Sequence, residues 1–312
     1  MAQPGILYIS YDGMLEPLGQ SQVLAYLERL ARGRRIHLIS FEKSQDWRLK
    51  ERRESVGRRI ADAGIAWHPL RYHKSPSAPA TALDVANGSA RAIALAVRNR
   101  LGIVHARSYV AGVMALTVKR ATGASFLFDM RGFWADERVD GNIWRRDGRL
   151  YRAAKAAERK LLLAADHIVT LTCASDKELR RWPYLQATTP LITVIPTCAD
   201  LDRFTIQRPP QRDPFVLGYV GSVGAWYLLD GMLRTFILLR QERPDARLLM
   251  VNRSDPNAIE ERLAAFGIAA EFAEVASSTH SAKNLSRRAR CRKIWSWSTV
   301  QTLRPLRGTR GG

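Results

Sequence analysis

The chain has 312 residues, of which 46% are hydrophobic and 25% are charged. This composition is typical of a globular protein and argues against a largely disordered chain, and the length predicts about two domains. The 49 lysines and arginines outnumber the 29 acidic residues, but nine of the basic residues and none of the acidic ones fall in residues 280–312. The overall charge is therefore weak support for a nucleic-acid-binding protein.

The cysteines, the histidines and the hydropathy of the chain indicate which compartment and which kinds of site to expect. The cysteines are Cys173, Cys198 and Cys291. They form no C-x-x-C pair and are odd in number, which indicates a reducing compartment. The six histidines show no metal-binding spacing, so we expect no metal site and no cofactor. The chain shows no signal peptide, and its longest apolar stretch is too short and too interrupted to cross a bilayer. These patterns predict a cytoplasmic protein.

Short β-branched runs alternate with longer helical patterns along the first two thirds of the chain. The predicted strands are 6–10, 35–41, 65–70, 103–106, 125–129, 167–170 and 191–195. The predicted helices are 20–32, 47–63, 80–100, 110–121, 147–165 and 175–182, the last with Ser175 as its N-cap. Strands separated by crossovers of this length predict a parallel sheet with helices on both faces.

The same alternation restarts after a Pro-rich connector, with strands at 215–220, 246–251 and 270–275 and helices at 228–240 and 257–266. The expected fold class is therefore α/β, with two doubly wound, Rossmann-like units of which the second is incomplete. The predicted organisation is a first unit at 1–195, a connector at 196–214, a partial second unit at 215–279 and a basic tail at 280–312. We expect that tail to be disordered or translated out of frame.

Ligands of open α/β sheets bind beyond the carboxyl ends of the strands, so the segments after each strand hold the candidate site residues. The loop after the first strand lacks G-x-G-x-x-G, which argues against an NAD-dependent oxidoreductase. Gly19 and Gln20 stand where this loop enters a helix and can present backbone N–H groups to an anion or a hydroxylated substrate. An ordinary surface loop is the alternative.

Charged residues follow the fourth and fifth predicted strands. Arg107 stands where a fixed cation would face a phosphate, although a solvated arginine is the alternative. Asp129 can orient an attacking hydroxyl or accept its proton, and Arg131 can stabilise a departing phosphate. An Asp–Arg pair that locks the loop is the structural alternative. In the second unit, Gly221 and Ser222 form part of a glycine-rich turn before a helix, which lets backbone amides approach a diphosphate.

One predicted helix is strongly basic. Its cations are Arg149, Arg152, Lys155, Arg159 and Lys160. Such a face either rests on anionic lipid or is simply solvated.

Five segments taken together resemble bacterial family 4 glycosyltransferases of the GT-B fold. They read YDGMLEPLGQSQVL, FDMRGFWADERVDG, AADHIVTLT, VIPTCADLDRF and LGYVGSVGAWYLLDGML, and the resemblance spans about residues 5–275. It implies two Rossmann-like domains, the first for the acceptor and the second for a nucleotide-sugar donor. The implied transfer is retaining and needs no metal ion or protein nucleophile.

Carried over motif by motif, the resemblance places Gly19 and Gln20 at the loop that approaches the donor phosphate and the acceptor. It places Asp129 and Arg131 beside the reacting sugar, and the turn of Gly221 and Ser222 beside the diphosphate.

The chain departs from the family pattern in its second half. Many members carry an arginine and a Lys-Gly near the glycine-rich turn, where this chain has Ser222-Val223 and Asp230-Gly231. The two glutamates separated by seven residues that the family would place soon after residue 280 are missing. This absence predicts a truncated or frameshifted second domain.

Three functional expectations follow. The first is a retaining glycosyltransferase of cell-surface polysaccharide or glycoconjugate synthesis, with a glycan or lipid-linked acceptor, working in the cytoplasm or peripherally at the inner membrane face. The second is an inactive protein with the same fold. The third is nucleic-acid binding through the basic tail, which would be independent of base sequence; no specific nucleic acid is expected as a partner.

Overall fold

In the computed structural model, the chain divides into two units, Met1–Asp200 and Leu201–Gly312. Each unit has its own sheet and its own hydrophobic core. The structure describes residues 3–73, 75–199, 201, 214–223, 227–252 and 256–277. The basic tail predicted at 280–312 lies outside these residues, so its expected disorder and its nucleic-acid binding stay predictions.

The first unit is built on one parallel sheet of seven strands. They are β1 (Gly5–Ser10), β2 (Ile36–Glu42), β3 (Ala66–Arg71), β4 (Leu101–Arg107), β5 (Ser125–Asp129), β6 (His167–Thr170) and β7 (Ile192–Val194). The strand order is β3-β2-β1-β4-β5-β6-β7, and every neighbouring pair is parallel. The α/β fold with a parallel sheet is thus confirmed. The order reverses between β1 and β4, which is the position where open sheets of this kind bind ligands.

Helices connect these strands. They are α1 (Pro17–Gly19), α2 (Ala25–Leu30), α3 (Ser44–Trp47), α4 (Lys50–Asp62), α5 (Ser77–Arg98), α6 (Ser108–Thr122), α7 (Trp134–Asp140), α8 (Arg149–Ala164), α9 (Cys173–Arg181) and α10 (Pro183–Gln186). A π-helical segment, Gln20–Leu24, joins α1 to α2. The helix predicted over 20–32 therefore begins earlier and contains a π-turn, a feature that often marks functional sites.

The core of the first unit lies on both faces of the sheet. Leu7 and Ile9 of β1 pack with buried residues of α5, α6 and α8. Tyr8, between them in the chain, packs on the opposite face with residues of α2 and α4. Since successive strand side chains point to opposite faces, a strand covered on both sides must be apolar at nearly every position. This requirement explains the continuous apolar run of β1.

Two local predictions were wrong. The helix predicted to be capped by Ser175 is α9, and its N-cap is Thr172, whose Oγ1 accepts a hydrogen bond from the backbone N–H of Ser175 at 3.1 Å. Both residue types can cap, and the structure shows which one has extended backbone. The segment after β5, predicted to be a loop, contains the short helix α7.

The described part of the second unit contains a three-stranded parallel sheet in the order β10-β9-β8. Its elements are β8 (Val216–Val220), α11 (Leu229–Glu242), β9 (Arg247–Asn252), α12 (Pro256–Ala265), a 3-10 turn (Ala270–Phe272) and β10 (Ala273–Ser277). The last strand begins three residues later than predicted because of the 3-10 turn. Leu233, Phe236 and Met250 are fully buried in the core of this unit.

Candidate functional site

The candidate site lies at the carboxyl edge of the seven-stranded sheet, where the strand order reverses. The loop after β1 is held there by Glu42, the last residue of β2, which is 2% exposed. Its carboxylate accepts the backbone N–H of Met14 at 2.8 Å and of Leu15 at 3.1 Å. Burial raises the pKa of Glu42, while hydrogen bonds from Ser40 and these amides act in the other direction. A buried carboxylate thus determines the path of the loop.

Gly13 and Gly19 bring the two ends of this loop into backbone contact. A β-carbon at Gly19 would overlap the carbonyl oxygen of Gly13. A β-carbon at Gly13 would lie 2.7 Å from Glu42 Oε2. Glycine at both positions is therefore a steric requirement of the turn. The neighbouring Gln20 donates from Nε2 to the carbonyl oxygen of Leu15 at 3.5 Å, so its side chain closes the loop on itself.

Arg107 and Arg131 meet beside this loop, although they follow different strands. Nη2 of Arg107 donates to Gln22 Oε1 at 2.8 Å, and Nη2 of Arg131 donates to the same oxygen at 3.0 Å. Nε of Arg107 also donates to Asp12 Oδ2 at 3.1 Å. The structure thus brings the two predicted arginines together on Gln22, and Asp12 pairs with Arg107. Neither Gln22 nor Asp12 was predicted as a site residue.

Asp129 lies between the two guanidinium groups and is 6% exposed. Its Oδ2 is 3.9 Å from Nη1 of Arg107 and 3.9 Å from Nη1 of Arg131, which is ion-pair range but too long for hydrogen bonds. Burial raises the pKa of Asp129, against the opposing charges of Arg131 and Arg107. Burial and the charge of Arg107 lower the pKa of Arg131.

Two buried polar atoms of this cluster have no hydrogen-bond partner among the described residues: Oδ1 of Asp129 and Nη1 of Arg107. Buried polar groups are normally paired, so unpaired ones at a sheet edge indicate a place for a ligand. Arg131 also has a left-handed backbone, with φ of 67°. Non-glycine residues are uncommon there and cluster at functional sites.

Side chains of α6, α7 and α8 hold the loop after β5 in place. The hydroxyl of Tyr109 donates to Glu158 Oε2 at 2.7 Å and lies 2.9 Å from the carbonyl oxygen of Gly132. Glu158 is fully buried and forms an ion pair with Lys155. The ring of Trp134 stacks on that of Tyr109 at a centroid distance of 5.9 Å. These contacts fix the residue that follows Arg131.

The predicted residues of the second unit lie in the turn after β8. The backbone N–H of Gly221 donates to the carbonyl oxygen of Val251 at 3.1 Å, and the hydroxyl of Tyr219 donates to the carbonyl oxygen of Ser222 at 2.5 Å. Asp230, of the Asp230-Gly231 pair, accepts a hydrogen bond from Nε of Arg262 at 2.8 Å.

Within the described ranges, no group of three or more His, Cys, Asp or Glu side chains is arranged to hold a metal ion. None of the helices in the same ranges is long and apolar enough to cross a membrane.

The family model of the glycosyl transferase 4-like domain matches residues 19–198. No curated protein matches the chain significantly. Among solved structures, sucrose-phosphate synthase from Thermosynechococcus elongatus is similar with a TM-score of 0.62 and 14% identity, over 88% of this chain and 70% of that one. A glycosyltransferase from Rickettsia africae has a TM-score of 0.59 and 15% identity, over 89% of this chain and 69% of that one.

Anabaena HepE, solved in complex with UDP and glucose, has a TM-score of 0.57 and 12% identity, over 88% of this chain and 69% of that one. At these identities the likeness establishes the fold. The match of the family model covers more than half of the chain and establishes the family. The chain belongs to the glycosyl transferase 4-like family and has the GT-B glycosyltransferase fold.

Proposed function

We propose that this chain transfers a sugar from a nucleotide-sugar donor to an acceptor hydroxyl, with retention of configuration at the anomeric carbon. The observation that carries the proposal is the pair of guanidinium groups of Arg107 and Arg131, held on Gln22 beside Asp129. Arg107 is buried and Arg131 is partly buried. Nη1 of Arg107 has no hydrogen-bond partner among the described residues, so it can donate to an oxygen of a donor diphosphate. The complex of the similar HepE fold with UDP and glucose supports this class of donor.

The two units have separate roles in this proposal. Residues 1–195 receive the acceptor, and residues 215–279 bind the donor, with 196–214 as the connector. Gly221 and Ser222 contact the diphosphate through the turn after β8, where a glycine admits close approach of the backbone. The backbone around Gly19, in the first unit, approaches the donor phosphate and the acceptor.

The proposed reaction exchanges one bond for another on the same face of the sugar. The bond from the anomeric carbon to the diphosphate oxygen breaks, and the acceptor oxygen bonds to that carbon. The acceptor proton passes to the departing diphosphate oxygen. Arg131 and Arg107 stabilise the negative charge that develops there, and Asp129 orients the two guanidinium groups beside the reacting sugar. Positioning and charge stabilisation then supply the rate enhancement.

The test uses the purified full chain and UDP-glucose as the first donor, and measures UDP release with and without a panel of glycan acceptors. We expect Arg131→Ala and Arg107→Ala to lower the rate by about 100-fold, the usual effect of removing one charge-stabilising group. The control is Arg58→Ala, at an exposed position of α4. Nuclear magnetic resonance of the product identifies the anomer.

Three results would contradict the proposal in different ways. Release of no nucleotide from UDP-, GDP- or ADP-sugars would favour the non-catalytic alternative. Equal rates for Arg131→Ala and Arg58→Ala would show that Arg131 is not part of the reaction centre. An inverted product would remove the retaining mechanism alone.

We further propose that the reaction belongs to cell-surface polysaccharide or glycoconjugate synthesis, peripherally at the cytoplasmic membrane face. The supporting observation is that Arg149, Arg152 and Lys160 of α8 are exposed. Lys155, which is half-buried, and Arg159, which is exposed, lie over aromatic rings of the same unit. Flotation with anionic vesicles tests this, and a triple Arg149→Glu, Arg152→Glu, Lys160→Glu variant should lose the binding. Equal flotation of the two chains would exclude the role of α8.

A further inference from the structure

A cavity of about 730 Å³ opens in the first unit, beside the loop after β5. Gly132 and Phe133 form part of its wall. They directly follow Arg131 in the chain, so the cavity begins one residue beyond the arginine of the proposed reaction centre. Its volume is within the range of cavities that hold a small molecule.

Aromatic side chains form one part of the lining. The ring of Trp182 lies 5.7 Å from that of Phe133 and 5.7 Å from that of Tyr184, measured between centroids. All three are half-buried and line the cavity. The ammonium group of Lys155 lies 4.5 Å from the centroid of Trp182 and holds that ring in place. Such rings offer apolar surface to the C–H faces of a sugar.

Carboxylates form the other part of the lining, and two of the four already have partners. Asp136 accepts from the hydroxyl of Tyr151 at 2.8 Å and from Lys155 at 3.0 Å. Glu178 accepts from Nε1 of Trp182 at 3.2 Å. Both are therefore parts of the wall, not free acceptors.

The other two carboxylates are uncommitted. Glu137 and Asp140 lie three residues apart on α7, which places them on one side of the helix. Both are exposed and line the cavity, and neither carboxylate has a hydrogen bond or an ion pair within the part of the chain that the structure describes. A carboxylate only accepts hydrogen bonds, so a ligand must bring donors: hydroxyl or ammonium groups.

The charge of the lining also favours a neutral or cationic ligand. Four carboxylates and two cations, Arg146 and Lys155, line the cavity. Both cations pair with Asp136, and Glu178 pairs with Arg181, so the unpaired charges of the lining are those of Glu137 and Asp140. The surplus is negative, and it would repel a phosphate or a sugar acid.

We propose that this cavity is the subsite for the sugar ring of the acceptor, and that it admits neutral or amino sugars and rejects anionic ones. This inference rests on the proposed glycosyl transfer and adds the class of acceptor to it. Glu137 and Asp140 accept hydrogen bonds from sugar hydroxyl or ammonium groups, and the rings of Phe133, Trp182 and Tyr184 contact the apolar face.

Calorimetric titration of the full chain with three disaccharides tests the inference: cellobiose, which is neutral, diglucosamine, which is cationic, and digalacturonate, which is anionic. We expect cellobiose and diglucosamine to bind and digalacturonate not to bind. A double Glu137→Gln, Asp140→Asn variant keeps the shape of the side chains. It should weaken diglucosamine binding by about tenfold or more, as expected for loss of a charge-assisted hydrogen bond.

The matched control is a double Glu51→Gln, Asp62→Asn variant, which makes the same two changes at exposed positions of α4. Binding of digalacturonate as tight as that of cellobiose would overturn the inference, as would no binding of any disaccharide or equal diglucosamine affinities in the two double variants. Nucleotide release from UDP-glucose by the unmodified chain is measured in parallel. Its absence would contradict the proposed transfer while leaving the sugar-binding result to decide the subsite.

Discussion

Arg107 and Arg131 donate hydrogen bonds to the same oxygen atom, Oε1 of Gln22, from 2.8 and 3.0 Å. Two like charges this close repel each other, and two carboxylates offset that repulsion: Asp129, 3.9 Å from each guanidinium group, and Asp12, 3.1 Å from Nε of Arg107. Nη1 of Arg107 is still without a hydrogen-bond partner among the described residues. A donor diphosphate supplies one in the proposed function.

Gln22→Ala removes the shared acceptor and leaves both guanidinium groups free to separate. We expect kcat/KM for nucleotide release to fall by about 10- to 100-fold, or about 1.4–2.7 kcal/mol. The control is Gln186→Ala at the exposed end of α10. Steady-state kinetics give kcat/KM for nucleotide release by the two variants. An unchanged value for Gln22→Ala would show that the arginines need no common acceptor.

Two glycine-to-alanine substitutions should change stability in opposite directions. Gly19→Ala places a methyl group against the carbonyl oxygen of Gly13, and overpacking of this kind costs about 1–3 kcal/mol. Gly57→Ala lies inside α4, where the new methyl group meets only Trp67 at 3.8 Å. Alanine lowers the backbone entropy of the unfolded chain, so this substitution should raise the free energy of unfolding by about 0.5–1 kcal/mol.

Chemical denaturation measures both free energies of unfolding. A Gly19→Ala protein as stable as the unmodified chain would mean that the loop after β1 can relax away from Gly13.

Asp84 is fully buried on α5 and satisfies three donors. Its carboxylate accepts from the hydroxyl of Tyr11 at 2.8 Å and from the backbone N–H of His73 at 3.0 Å, and it lies 2.5 Å from Nδ1 of His73. Asp84→Asn replaces one accepting oxygen by an NH2 group, which cannot accept a hydrogen bond from these donors. The substitution should destabilise the fold by about 2 kcal/mol. The same substitution at the exposed Asp62 serves as the control, and equal unfolding midpoints would contradict the prediction.

His105 should make the folded state sensitive to acid. Burial, followed by the charge of Arg107, lowers the pKa of His105 from 6.5 to about 3. Between these values the unfolded chain binds a proton that the folded chain does not, so stability falls as the pH falls from about 6.5. The slope from this residue is up to ~1.4 kcal/mol per pH unit.

His105→Gln should flatten that slope. Unfolding free energies are compared from about pH 8, where the imidazole of the unfolded chain is also neutral, down to about pH 5. The difference at the upper end gives the packing cost of the substitution and is subtracted. Parallel curves over the whole range would mean that His105 titrates normally in the folded protein.

The sequence by itself determined the strands of the seven-stranded sheet and most of the helices between them. The bounds predicted for β5 and β6, 125–129 and 167–170, agree with those observed. Apolar runs between turn residues carry this information locally, because a strand covered on both faces must be apolar throughout. Since ligands bind where such strands end, the same reasoning selected Arg107 and Asp129 as candidate residues.

Only the tertiary structure decided which polar residues meet there. Gln22 is 85 residues from Arg107 and 109 from Arg131 along the chain, yet it binds both. The predicted Gln20, two residues away, bonds instead to its own loop. Both glutamines stand in the same polar run, and a π-turn between α1 and α2 sets which of them faces the arginines. Local patterns do not encode that rotation, because it results from packing between segments distant in the chain.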